Sequence, residues 1–486
     1  KFPRRGFGWA IHSPSLSNWG PNWSDCLPPG SFGHKGYTGT LIWIDPVSRI
    51  YLIVLTNRVY PGGDPPRGGE KVRDRIFSLV AEAAGRAVSP GLCNQSFSVP
   101  SNGSKTGLSP QVKTGVDVLA DQKFGPLAGK KVGLITNHTG RDSSGRRTID
   151  LLHQSSRVKL KAVFAPEHGL SGKADAKVPS GKDPATGVPV HSLYGDTLRP
   201  TPGMLRGLDA LVFDVQDAGV RFYTYITTMG YAMEAAARTG IPFYVLDRPN
   251  PLSGSVVQGP VLDPDLRSFT GYSSLPLRHG MTVGELARMF NGESNLGVKL
   301  RVIPMSGYRR TAWFDETGLP WVNPSPNLRS LTQATLYPGV ALVEGANVSV
   351  GRGTDMPFEI LGAPWIKALE LTEYLRQRRI PGVEFQPAAF TPDASRFQGQ
   401  VCYGVRIILT DRRALDSGVL GVEIISALRR LYPGDFEIDR TLSLVGSRSV
   451  FQALKENGDP SALPQAWQPA LDEFCLRRSK YLLYPE

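Results

Sequence analysis

The sequence predicts an α/β protein: a doubly wound, mostly parallel sheet followed by a smaller α+β lobe. Three observations carry this prediction. From residue 112 to about 250, short apolar β-runs alternate with helical patterns, as in successive βα units. Four of those runs end in clusters of polar residues, and in a parallel sheet all such ends open on one edge. Beyond residue 271 the strand and helix signals continue in mixed order without that alternation. The expected organisation is an amino-terminal piece at 1–88, a linker at 89–111, the parallel-sheet lobe at 112–270 and the carboxyl-terminal lobe at 271–486.

In the first piece, Leu41-Ile-Trp-Ile-Asp45 and Ile50-Tyr-Leu-Ile-Val-Leu55 flank the turn signal at Asp45-Pro46 and predict a hairpin. Arg73–Arg86 reads as an amphipathic helix. With His34-Lys35-Gly36 just before the hairpin, this stretch resembles the carboxyl end of the serine β-lactamase and penicillin-binding esterase family, in which a Lys/His-x-Gly triad lines the site. That family also needs a Ser-x-x-Lys nucleophile and a Tyr- or Ser-based motif upstream, and neither precedes His34. Ser156-Arg-Val-Lys159 leads into a predicted strand of another domain, and Lys105-Thr-Gly107 and Lys113-Thr-Gly115 lie in or beside the linker. The piece is therefore expected to be a truncated, catalytically inactive remnant of a fusion partner that exposes apolar surface. The Ser-, Pro-, Gly- and Asn-rich run at 89–111 has no periodicity and reads as a linker.

The parallel-sheet lobe follows in order. Strands are predicted at Lys131–Asn137, Val158–Pro166, Ala210–Asp214 and Pro242–Leu246, with helices at Thr148–His153, around Met204–Leu208 and at Tyr225–Arg238. The polar strand ends are Asn137-His138, Glu167-His168, Asp214-Val-Gln-Asp217 running on to Arg221-Phe-Tyr-Thr-Tyr225, and Asp247-Arg248-Pro-Asn250. Taken singly, such residues are turn or helix-capping groups. Taken together, their carboxylates, Arg, His and Tyr predict one crevice with a site in it. No Gly-x-Gly-x-x-Gly follows the first strand, so no dinucleotide cofactor is expected, and no metal-ligand spacing occurs. The expected cofactor and metal content is none.

Several runs are specific: Gly133-Leu-Ile-Thr-Asn-His-Thr-Gly140, Phe164-Ala-Pro-Glu-His-Gly-Leu170, Leu193-Tyr-Gly195, Phe213–Tyr225, Leu246-Asp-Arg-Pro-Asn-Pro-Leu252 and Glu344–Asp355. Through them residues 112–486 resemble the NamZ-type exo-β-N-acetylmuramidases. The resemblance implies a Rossmann-like lobe, a smaller carboxyl-terminal lobe and a site between them. It also implies release of terminal N-acetylmuramic acid from the non-reducing end of peptidoglycan fragments, hence a periplasmic or extracellular setting.

In the carboxyl-terminal lobe, Thr282-Val-Gly-Glu285 is a capping box that opens a helix through Phe290, and Leu300–Pro304 reads as a strand. The prolines of Trp321-Val-Asn-Pro-Ser-Pro-Asn-Leu328 require a loop, whose Trp321, Asn323 and Asn327 suit a sugar. Glu344 follows an apolar run as Glu167 does, and Arg352 stands between glycines, where a ligand can approach the backbone. Val405–Asp411 reads as a strand, Val419–Leu431 as a helix, and Ala466–Leu483 as a helical tail that lies as a lid on this lobe.

Glycoside hydrolysis needs an acid for the leaving oxygen and a second group acting as base or nucleophile. Glu167, after apolar Phe164-Ala-Pro166, is the expected acid, and Glu344 the expected second group. Asp217 is its main rival, with Tyr223 and His168 behind it. Muramic acid carries a lactyl carboxylate, which calls for a cation. Arg221 and Arg352 are the candidates, then Arg248, and the alternative for Arg221 is an ion pair with Asp214 or Asp217. Asn137, Tyr225, Asp247, Asn250 and Asp355 complete the predicted substrate contacts.

Composition sets the outer limits. The 486 residues are 41% hydrophobic and 20% charged, an ordinary globular balance long enough for several cores. The net charge of +12 comes from scattered Lys and Arg with no basic run, which argues against nucleic acid; it reads first as a plain solvated surface and also suits an anionic wall polymer. Cys26, Cys93, Cys402 and Cys475 are far apart and leave disulfides and buried thiols both open. No apolar run is long enough to span a membrane, and no signal peptide is present; the chain opens as if in mid-domain, so the missing signal says little about location. A serine hydrolase acting through the amino-terminal piece, and a wall-binding protein that does no chemistry, are the competing functions.

Overall fold

A computed structural model describes residues 112–174 and 178–486, together with five strands among residues 5–54. The chain divides into two units, Lys1–Lys105 and Thr106–Glu486. The helix predicted at Arg73–Arg86, the linker, Gly36, Cys26 and Cys93 lie outside the described residues.

The first unit is a five-stranded antiparallel meander of β1 (Arg5–Gly6), β2 (Trp9–Ile11), β3 (Phe32–Lys35), β4 (Leu41–Asp45) and β5 (Ile50–Val54) in sequential order. The predicted hairpin is β4–β5, with Leu41 opposite Val54 and Asp45 opposite Ile50. His34 and Lys35 lie on β3, and Tyr51 and Ile53 on β5 are exposed.

The second unit is organised on a seven-stranded sheet. Its strands are β6 (Lys131–Thr136), β7 (Lys159–Ala165), β8 (Gly181–Lys182), β9 (Pro189–Ser192), β10 (Ala210–Asp214), β11 (Phe243–Leu246) and, after a hairpin of β12 (Gln258–Val261) and β13 (Pro276–Arg278), β14 (Leu300–Ile303). Their spatial order is β14-β11-β10-β6-β7-β9-β8, and only β8 runs antiparallel to its neighbour. The chain builds outward from β6 on one side through β7 and β9, then returns to the other side through β10, β11 and β14. The direction of winding therefore changes between β6 and β10, and the crevice of a doubly wound sheet opens at the carboxyl ends of those strands.

Alternation along the strands divides the apolar residues between the two faces. Val132, Leu134, Val163, Ala210, Val212 and Leu246 pack on one face with Val116 and Leu119 of α1 (Gly115–Asp121) and Leu152 of α2 (Thr148–Gln154). Ile135, Phe164, Leu211, Phe213, Phe243 and Val245 pack on the other with α3 (Tyr225–Thr239) and α4 (Val283–Glu293). The second cluster runs on without a break into the carboxyl-terminal lobe.

That lobe is a three-stranded antiparallel sheet of β15 (Ile360–Ala363), β16 (Val383–Phe390) and β17 (Cys402–Leu409), with β17 in the middle. Around it lie α5 (Leu331–Val340), α6 (Ala368–Gln377), α7 (Ser417–Leu431) and α8 (Leu463–Ser479). Cys402 is buried and Cys475 half-buried, both as free thiols. Among the described residues no helix is long and apolar enough to cross a membrane.

Two expectations change. β14 pairs in parallel with β11, so the large sheet does not end at residue 270 but takes its edge strand from the segment assigned to the second lobe. The tail is also more than a lid on its own lobe, because its last residues clip onto the large sheet. The Tyr484 hydroxyl donates to Asp247 Oδ2 at 2.5 Å and accepts from Met305 N at 2.9 Å. Leu483 N donates to Glu285 Oε1 at 2.9 Å, and Arg310 N to Pro485 O at 2.9 Å. Glu285 meanwhile closes the predicted capping box with Thr282 and pairs with Arg310. Tyr484→Phe removes both hydroxyl bonds and should lower unfolding free energy by about 1–3 kcal/mol in a denaturant titration; an unchanged midpoint would make the tail a passive strap.

Candidate active site

β7 is buried along its second half, and Pro166 ends it, so Glu167 is delivered to the sheet edge half-buried. The turn that follows is tight. His168 has φ 68° and Gly169 φ 70°, two left-handed residues in succession, and Gly169 N donates to Pro166 O at 3.0 Å. His168 is held there by Nδ1, which donates to Ala174 O at 2.8 Å. Gly172, at φ 69°, has no room for a side chain because the His138 ring occupies the space a Cβ would take. The turn thus packs against the end of β6. His138 in turn donates from Nε2 to Asn323 O at 2.6 Å, and burial lowers its proton affinity, which favours the neutral ring.

Glu167 accepts a hydrogen bond at Oε2 from the Thr224 hydroxyl, the residue that opens α3. A hydroxyl can donate to a carboxylate or accept from its acid form, so the contact fixes the side chain in either state. Together Glu167, His168, Thr224, Tyr223, Tyr337 and Arg352 surround a cavity of about 110 Å³, which Phe222, Ser325 and Phe358 complete.

The wall is an aromatic cluster. Tyr223 meets Tyr225 edge-on at 4.8 Å, Tyr337 meets Phe358 at 4.7 Å and Phe222 meets Tyr337 at 5.3 Å between centroids. Burial raises the pKa of Tyr223 and Tyr337 well above that of an ordinary phenol, so both stay neutral hydroxyls. The Tyr223 hydroxyl makes no well-formed hydrogen bond and has Tyr225 and Ser325 as polar neighbours. Tyr225 donates to Pro324 O at 2.8 Å and so anchors the proline-rich loop.

Arg352 joins this cavity to a second one of about 430 Å³. Its Nε is ion-paired with Glu344, which lines the second cavity, and its guanidinium lies 5.7 Å from the Phe358 ring centre. The glycines beside it serve the fold and not a ligand: a Cβ at Gly351 would stand 2.7 Å from Met356 O, and one at Gly353 2.5 Å from the Ala394 backbone.

The structure brings Glu167, His168, Tyr223, Arg352 and, through its ion pair, Glu344 to one place. Several other predicted residues are committed to the fold instead. Arg221 is wholly buried and pairs with neither Asp214 nor Asp217; it donates to Pro260 O at 2.8 Å, to Val445 O at 3.1 Å and to Leu444 O. Arg248 forms a fork with Asp214, Nε to Oδ1 at 2.6 Å and Nη2 to Oδ2 at 2.9 Å. Asp247 accepts from Gly284 N and Thr282 Oγ1, both at 2.7 Å, at the start of α4, and burial pushes its carboxyl up to about 7. Asn250 bridges Leu252 N and Met281 O, at 3.0 Å each.

Asp217 is buried and does not line the cavity. It accepts from Gly219 N at 2.6 Å, with His279 Nε2 at 3.5 Å; His279 Nδ1 accepts from Met281 N, which leaves the ring proton on Nε2. Asn137 accepts from Thr139 N and Oγ1 at 2.9 and 2.6 Å, and its buried Nδ2 lacks a well-formed bond beside Tyr225. Asn323 is exposed and contributes only its carbonyl, Asn327 is buried, and Asp355 is exposed with Arg329 Nη1 at 3.7 Å. Trp321 packs edge-on against Phe314 at 5.1 Å and lines neither cavity.

Thr224, Ser325 and Tyr337 were missed in the sequence. Thr224 sits inside the Arg221–Tyr225 motif, where its hydroxyl was the least conspicuous group, and Ser325 in the loop that was read for its amides. Tyr337 lies in the helical run Leu331–Val340, where no charged residue and no strand end marks it. Arg248→Ala should cost about 3–5 kcal/mol in chemical denaturation, because it leaves Asp214 buried without its cation. Arg352→Ala, at a half-exposed pair, should cost about 1 kcal/mol or less. Equal losses would mean that Arg352 is structural too.

Comparison with known proteins supplies the family. The models of the exo-beta-N-acetylmuramidase NamZ N-terminal and C-terminal regions match residues 132–332 and 335–484, and a beta-lactamase model matches residues 2–75. The peptidoglycan beta-N-acetylmuramidase NamZ of Bacillus subtilis is 45% identical over 390 residues, 79% of this chain and 94% of that protein. Crystal structures of two DUF1343 family proteins from Bacteroides fragilis superpose with TM-scores of 0.72 and 0.65 at 36% and 32% identity, each over 77% of this chain and 99% of its own. A putative D-alanyl-D-alanine carboxypeptidase of Salmonella gallinarum is 33% identical over 72 residues, 15% of either chain.

Proposed function

From the premise that the chain belongs to the exo-β-N-acetylmuramidase NamZ family, we propose that its crevice hydrolyses the glycosidic bond of a terminal N-acetylmuramic acid in peptidoglycan fragments, with Glu167 as the acid. It is thus an exo-acting glycosidase of cell-wall turnover. The observation that supports this use of the site is the position of Glu167, a half-buried carboxyl at the carboxyl end of β7, fixed by Thr224 inside a cavity that also holds a cation.

The chemistry divides among few groups. Glu167 protonates the leaving oxygen as the bond to the anomeric carbon breaks. Glu344 is the second carboxylate, acting as base or nucleophile on the opposite side of the ring. It enters from the carboxyl-terminal lobe, where Arg352 orients it. Asp217 fits this role less well, since it is buried outside the cavity lining and bound to the chain at Gly219. The neutral hydroxyl of Tyr223 and the faces of Tyr337 and Phe358 suit a pyranose, polar at its edge and apolar on its CH face. His168 shapes the turn that presents Glu167. Of the three arginines expected from the sequence, Arg352 alone lines these cavities, and it is paired with Glu344. A peptidoglycan substrate supports a periplasmic or extracellular setting.

The deciding assay is release of 4-nitrophenol from 4-nitrophenyl β-N-acetylmuramide, with the N-acetylglucosaminide as control. Glu167→Gln should lower kcat by about 100-fold or more with an unchanged unfolding temperature. Activity that survived the change would move the acid to another carboxylate, and a folded wild-type chain without activity would favour a wall-binding role.

A further inference from the structure

The cavity shared by Arg352 and Glu344 contains a second guanidinium, that of Arg396. Glu344, Ser349, Arg352, Ser395, Arg396 and Phe397 line its 430 Å³. Arg352 and Glu344 are already paired, so together they add close to no net charge. Arg396 is half-buried, and no hydrogen bond or ion pair to it occurs among the described residues. A half-buried cation without a counter-ion leaves the cavity positive, and such a site selects an anion.

The loop that carries Arg396 is built to hold it. Residues 391–401 connect β16 to β17. Ser395 and Phe397, on either side of Arg396, have φ 66° and 62°, a state that side-chain-bearing residues keep only when the surroundings enforce it. Gly399 N donates to Pro392 O at 2.8 Å and Gln400 N to Phe397 O at 2.9 Å, closing the loop on itself. Asp393 N donates to Gly353 O at 2.8 Å, and Ala394 packs on Gly353 so closely that a Cβ there would stand 2.5 Å away. The loop is therefore docked on the residue next to Arg352, and both arginines belong to one rigid piece of the carboxyl-terminal lobe.

We propose that Arg396 is the specificity residue for muramic acid, receiving the lactyl carboxylate in the outer cavity while the sugar ring occupies the inner one. The proposal rests on the glycosidase reading above and deepens it. Arg352 then serves chiefly to hold Glu344, and Arg396 supplies the unbalanced charge that separates a muramic from a glucosamine residue. Phe397 offers an apolar surface for the lactyl methyl group.

The test compares wild type, Arg396→Gln and Arg396→Lys on 4-nitrophenyl β-N-acetylmuramide and on the same compound with its lactyl carboxylate converted to the amide. In wild type the acid should be preferred. In Arg396→Gln, KM for the acid should rise about 10- to 100-fold with kcat little changed, and the preference over the amide should vanish. Arg396→Lys should keep part of it. An acid-to-amide ratio equal to wild type in Arg396→Gln overturns the proposal. If wild type hydrolyses neither compound, the glycosidase reading fails, and calorimetry with N-acetylmuramic acid and N-acetylglucosamine tests Arg396 alone. Lost preference for the acid sugar in Arg396→Gln supports the proposal, and an unchanged preference, or none in wild type, overturns it. Thermal unfolding of each variant confirms that the loop change leaves the fold intact, and Arg396→Lys carries the comparison if Arg396→Gln does not fold.

Discussion

The buried fork between Asp214 and Arg248 holds the crevice together. Asp214 ends β10, Arg248 follows β11, the Thr148 hydroxyl at the start of α2 also binds Asp214, and Arg248 reaches Arg141 O at 2.8 Å in the loop after β6. One ion pair therefore ties together the chain on both sides of the point where the winding of the sheet reverses. It is hydrogen-bonded on all sides, which is the condition under which a buried pair is tolerated. Its energetic worth relative to an apolar substitute is secondary. What it does for function is geometric, since it fixes the strand ends against which the Glu167 turn and the aromatic wall are positioned.

The same economy explains the misassigned residues. The fold class, β6, β7, β10, β11 and β14 and the Thr282–Glu285 capping box were legible in local patterns, whereas short strands such as β8, β9 and β12 were not. Which polar groups face a substrate was not legible. A sheet edge exposes backbone donors and helix starts that also need partners, and Asp247, Asn250 and Arg248 satisfy those at close range. Arg221 shows the limit most clearly. It reaches carbonyls at residues 444 and 445, and nothing near Arg221 in the sequence could announce a partner more than 220 positions away. β14 was placed in the wrong lobe for a related reason, because its helix and strand pattern fits either a further βα unit or a mixed lobe.

The two lobes contribute different kinds of group. The parallel sheet supplies Glu167, His168, Tyr223 and Thr224, all on short connections directly after β7 or before α3. The carboxyl-terminal lobe supplies charged side chains, with Glu344, Arg352 and Arg396 lining its cavity. Arg352 and Arg396 come from loops that Gly353 allows to touch backbone to backbone, so a single glycine sets their spacing. On the proposed reading the acid comes from one lobe, and the second carboxylate and the recognition charges come from the other. Recognition could then vary in loop 391–401 without disturbing the turn that presents Glu167. For an exo-acting glycosidase that is a useful division, because the bond cleaved is common to many wall sugars, whereas the lactyl carboxylate is what distinguishes this one from its neighbour along the glycan.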